Sequence, residues 1–97
     1  MTTPSPDKLR DLARALKTLV GMPTEARTQL EEWYAASQRL QKWIKNDPDF
    51  CNSVPHFVWH YLSDADIRRK DSIYEAEQKV QLMEIVDLLE RGEIPPV

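Results

Sequence analysis

Apolar residues recur three and four positions apart along most of this chain, the period of helices with one buried face. Leu9, Leu12, Leu16, Leu19 and Val20, with Ala13 between them, predict a first helix over residues 6–20. Ser5 is placed to cap it, Pro6 suits its first position, and Gly21 is a natural stop in the left-handed conformation. Met22 and Pro23 then form a turn, and Thr24 opens a second helix over 24–45. Its Ala26, Leu30, Trp33, Ser37, Leu40 and Ile44 alternate four and three apart, a seam that Tyr34 and Trp43 widen. A short connection between two amphipathic helices predicts an antiparallel hairpin.

The next stretch, Asn46 to Asn52, reads as the longest loop. Asp47, Asp49 and Asn52 share the composition of a calcium loop but lack its glycine and distal glutamate; Asx residues beside proline form turns without any metal. The densest apolar run follows, from Val54 to Leu62, and breaks the simple stripe pattern. With Ser53 as cap and Pro55 in the first turn, it predicts a helix over 54–70. A strand there would have nothing to pair with. Apolar on almost every side, this helix belongs at the centre. Ser63 and Asp66 have capping-box spacing and mark a kink or restart.

The last helix is expected over 72–91, with Ser72 and Glu75 at its start and Gly92 at its end. Ile73, Ala76, Val80 and Met83 begin its core face, which broadens to Leu82, Ile85, Val86, Leu88 and Leu89. That is more apolar surface than a peripheral helix needs, so the central helix, a second subunit or a partner must cover the excess. The fold class is therefore all-α: a small four-helix bundle-like single domain over 1–97, antiparallel neighbours, with flexible tails at 1–5 and 93–97 and Ile94 touching the bundle.

Composition narrows the picture. Two glycines in 97 residues disfavour sheets and hairpins. No long apolar segment predicts a membrane span, and Met1 to Pro6 has no signal-peptide pattern. The single cysteine, Cys51, excludes an internal disulfide and fits a reducing, cytoplasmic setting. Net charge is −3, but unevenly spread: residues 1–46 hold eight basic and five acidic side chains, residues 47–97 five and eleven. An acidic C-terminal half attracts basic proteins and argues against nucleic acid.

No catalytic or cofactor signature is present, and no cofactor is expected. The leading expectation is a non-catalytic protein–protein interaction module, regulatory or inhibitory, with homodimerisation as a variant. Its partner-binding residues would be Trp59, Tyr61, Arg68 and Arg69, because aromatics and arginine anchor interfaces. One alternative is a metal-binding protein or small metalloenzyme: His56 and His60 lie one helical turn apart, and Asp64 would complete the set if the helix continued. Phe57 occupies the position where a His-Glu-x-x-His motif needs glutamate. A second alternative is a nucleic-acid-associated regulator using Arg10, Arg14, Lys17 and Arg27.

Overall fold

The computed structural model describes residues 4–95. The fold is all-α, with six helices among these residues: α1 (Pro6–Gly21), α2 (Arg27–Lys45), α3 (Pro48–Ser53), α4 (His56–Ser63), α5 (Ala65–Lys70) and α6 (Ser72–Glu90). The four long elements expected from periodicity are thus recognisable, with two departures. The loop at 46–52 contains a short helix, and the central helix is two, restarting just after Ser63, where a kink or restart is expected.

Local chemistry accounts for both. The Asp47 carboxylate accepts the Phe50 N–H at 3.2 Å and caps α3, with Pro48 at its first position. The aspartate and proline read as turn formers therefore start a helix, and Ser53, expected to cap the next one, ends this one instead. The break between α4 and α5 falls at Asp64, whose backbone leaves the helical region. Three consecutive carbonyls at the end of α4 are taken by side chains. Arg68 Nη1 donates to Tyr61 O at 2.8 Å, Ser37 Oγ to Leu62 O at 2.9 Å, and Tyr34 Oη to Ser63 O at 3.3 Å. A helix terminus needs such partners, and α2 supplies two of the three. Tyr34 Oη also accepts the Asp66 N–H at 3.1 Å, fixing the first turn of α5.

Boundaries shift elsewhere for similar reasons. The second helix begins at Arg27 rather than Thr24, where Gln29 Oε1 accepts the Ala26 N–H at 3.0 Å. Gly21 stays helical; the one positive φ among the described residues belongs to Gly92, at 75°. There α6 closes with the Gly92 N–H bonded to Leu89 O and the Glu93 N–H to Leu88 O, the paired bonds of a left-handed helix stop. At the other end of α6 the cap is Asp71, which accepts the Ile73 and Tyr74 N–H groups, not Ser72.

Ser5 caps α1 as expected, accepting the Lys8 N–H, and is thereby tied down although it also falls in the expected N-terminal tail. In the C-terminal tail Pro95 is buried and Ile94 is exposed, the reverse of the expected contact. Residues 1–3, 96 and 97 of the expected tails lie outside the described residues.

The core lies where α1, α2, α4 and α6 converge. Leu12, Leu16, Trp33, Phe50, Tyr61, Leu62, Leu82 and Leu89 are fully buried there. Trp33 anchors it, donating through Nε1 to Leu19 O at 3.0 Å. The chief neighbour of α1 is α6 rather than α2. Pro6 meets Gly92 at one end of this pair, while Leu19 and Gly21 share a cleft with Glu75 and Lys79 at the other. Helices α1 and α6 are therefore antiparallel.

The last helix differs from expectation in one consequential way. Its core face is Gln78, Leu82, Val86 and Leu89. Ile73, Ala76, Val80 and Met83, expected to begin that face, point outward; Ile73 is 72% exposed and Val80 61%. The helix carries two apolar faces, and the fold uses one.

Candidate functional site

A cleft of about 390 Å³ opens at the end of the α1–α6 pair, beneath the α1–α2 turn. Tyr61, Arg68 and Arg69, three of the four residues expected to form a partner surface, all line it; Trp59 is half-buried and lies elsewhere. Two of these residues, Tyr61 and Arg68, lie inside the fold rather than on an exposed surface. Tyr61 is 1% exposed and Arg68 5%. The apolar rings fill the interior, and the break at Asp64 turns Arg68 inward behind them.

The environment of Arg68 is unusual for a cation. Its Nη1 donates to Tyr61 O at 2.8 Å and to Gln78 Oε1 at 2.7 Å. Its guanidinium carbon lies 3.8 Å from the Tyr61 ring centroid and 5.1 Å from that of Trp33, within cation–π range. Gln78 donates in turn to Tyr74 Oη at 2.8 Å, and Tyr74 Oη to Asp64 Oδ2 at 2.8 Å. Among the described residues no carboxylate forms an ion pair with Arg68. Burial pulls its pKa down, against the opposing influence of Tyr61, Asp64, Tyr34 and Glu75. An arginine nonetheless keeps its proton in a protein, so a positive charge lies inside the fold without a contacting counter-charge.

Two ion-rich contacts frame the mouth. Arg69 donates through Nε and Nη2 to Glu25 O at 3.1 and 2.9 Å, tying α5 to the α1–α2 turn. Lys79 Nζ pairs with Glu75 Oε1 at 2.8 Å. Gln78 and Glu25 are not among the expected site residues, and Lys79 carries only the i,i+4 spacing that pairs it with Glu75. Gln78 had a readable signal: it lies in line with Leu82, Val86 and Leu89, a polar residue on a core face.

The alternative sites do not assemble. His56 and His60 are both exposed, while Asp64 lies beyond the end of α4, its Oδ2 bonded to Tyr74 and Gln78. No group of three or more His, Cys, Asp or Glu side chains with metal-site geometry occurs among the described residues. Asp47 serves as a helix cap and pairs with Lys8. The cations proposed for nucleic acid are each paired with a carboxylate: Arg10 with Asp7, Arg14 with Asp11, Lys17 with Glu90 and Arg27 with Glu31. Alternating charge of this kind gives no continuous basic stripe.

The outer face of α6 is the second candidate. Ile73, Ala76, Val80 and Met83 fall three, four and three apart, one line along the helix. Glu77 and Glu84 flank that line, and Asp87 continues it. The whole of α6 holds five carboxylates against one lysine. No helix among the described residues is long and apolar enough to cross a membrane. Comparison with family models, with curated proteins and with solved structures gives no match.

Proposed function

We propose that this protein is a non-catalytic interaction module, regulatory or inhibitory, that docks a basic amphipathic helix of another protein along the outer face of α6. The observation that carries this reading is the uncovered line Ile73, Ala76, Val80 and Met83 on a helix whose opposite face already fills the core. A helix laid along such a line anchors by side chains at matching three- and four-residue spacing. The flanking Glu77, Glu84 and Asp87 select a partner with lysines or arginines beside its apolar stripe. A second copy of the chain fits less well, since two α6 faces would bring acidic flanks together.

The test is capture from the native host with wild type and with the Ile73→Glu/Val80→Glu double variant. A partner retained by the wild type, lost by the variant and released as salt rises supports the proposal, provided its binding segment is a basic amphipathic helix. Equal retention by both proteins overturns it. A concentration-dependent dimer in sedimentation equilibrium, abolished by the same substitutions, would replace the basic partner with a second copy.

A further inference from the structure

We propose that the cleft beneath the α1–α2 turn binds a small carboxylate with a compact apolar body, its anionic end seated on Arg68. This inference is independent of the docking face on α6. It starts from the buried guanidinium. A charge removed from water without a counter-ion is costly, and the two aromatic faces and two neutral acceptors around Arg68 offset only part of that cost.

The unused edge of the guanidinium faces the cleft. Nη1 is committed to Tyr61 O and Gln78 Oε1, whereas Nε and Nη2 donate to no protein acceptor among the described residues. Yet no fully buried side-chain nitrogen or oxygen lacks a partner. Those two nitrogens therefore retain accessible surface, and the space they meet is the cleft that Arg68 lines. Adjacent N–H groups of one guanidinium form the planar fork that accepts a carboxylate through two parallel bonds.

The rest of the cleft fits the same ligand class. Val20, Met22 and Pro23, none of them fully buried, line the cleft together with Arg68 and Arg69 and give an apolar body something to rest against. Three cations, Arg68, Arg69 and Lys79, stand against two carboxylates, Glu25 and Glu75, so the lining carries one net positive charge. A monoanion neutralises that charge and a dianion exceeds it. The carboxylates of the protein itself that influence Arg68 are held by other groups, Asp64 by Tyr74 and Gln78, and Glu75 by Lys79. At about 390 Å³ the space falls within the range of small-molecule sites.

The experiment uses the full chain, labelled with nitrogen-15 and titrated with phenylacetate and hexanoate. Phenylacetamide serves as the uncharged analogue, and inorganic phosphate and chloride as bare anions. We expect either carboxylate to move the Arg68 Nε–H and Trp33 Nε1–H resonances saturably and to raise the thermal midpoint, with no response to phenylacetamide. Arg68→Met should abolish both effects. Should that variant fail to fold, Arg69→Gln and Lys79→Gln at the mouth keep the test open, each expected to weaken phenylacetate roughly two- to fivefold. No saturable shift, equal binding of phenylacetamide, or unchanged affinity in both mouth variants overturns the proposal. Displacement of phenylacetate by an equal concentration of phosphate or chloride also overturns it, because the site would then take any anion.

Discussion

Arg68 and Gln78 form a pair in which each residue justifies the burial of the other. Gln78 is 4% exposed, and its amide oxygen is one of two acceptors for the Arg68 Nη1 group. Gln78→Leu removes that acceptor and should destabilise the fold by about 1–3 kcal/mol, the usual penalty for a buried donor left unmade. Arg68→Met in the same background removes the charge that needed it. The double variant should therefore cost less than the two single variants added together, by about 0.5–3 kcal/mol in urea denaturation. Additive costs would show that the contact carries no coupling. The same pocket predicts an alkaline signature. Burial holds the Tyr61 phenol above its ordinary 10.0, with Arg68 opposing. A raised folded-state value contributes stability that is complete below the unfolded value and is lost as pH rises through the folded one. Tyr61→Phe should thus reduce the loss of stability seen above pH 10.0, measured as the difference between variant and wild-type thermal midpoints across pH. Tyr34 and Tyr74 are also raised, by burial and by the bond to Asp64 respectively, so the difference isolates Tyr61.

Helix ends were less legible in the sequence than most helix faces, and α4 illustrates why. The faces of α1 and α2 follow from spacing alone, because Leu12, Leu16, Trp33 and Ile44 meet the core through a 3.6-residue period. The end of α4 does not, because Ser37 and Tyr34, remote in sequence, cap its carbonyls, and no local pattern encodes that contact. The outward turn of Ile73 and Val80 was equally hidden: two apolar stripes on one helix give no sign of which the fold will cover. Two helix ends yield predictions. Asp47 accepts from Lys8 Nζ at 2.8 Å as well as capping α3, and the lysine bond foremost holds its carboxyl below the ordinary 3.8. A lowered folded-state value contributes stability that is present above the unfolded value and is lost as pH falls through the folded one. Asp47→Asn keeps the cap but not the charge, so its thermal midpoint should trail wild type at neutral pH and converge with it below pH 3.8. At the far end of α6, an alanine Cβ at Gly92 would lie 2.9 Å from Pro6 Cβ on a backbone with φ at 75°. Gly92→Ala should cost about 1–3 kcal/mol in chemical denaturation. A neutral result would mean the stop relaxes into another turn.

At the scale of the whole molecule, α6 serves as wall on one side and free surface on the other. The inner side is fixed by antiparallel packing against α1, which joins the first long helix to the last and encloses Leu82, Val86 and Leu89. No helix among the described residues covers the outer side, where Ile73 and Val80 are exposed. Two substitutions two residues apart should separate these roles. Leu82 is fully buried, and Leu82→Ala should destabilise the protein by about 2–5 kcal/mol through lost transfer energy and a residual cavity. Val80 is 61% exposed, and Val80→Glu should leave stability within about 0.5 kcal/mol of wild type. Urea denaturation at a low and a high protein concentration reads both. If Val80→Glu destabilised the protein as Leu82→Ala does, and more so as the protein is concentrated, that face would already be occupied by a second copy. If it has no effect on the isolated protein yet abolishes capture of a basic partner, the line Ile73, Ala76, Val80 and Met83 is surface kept for recognition rather than for folding.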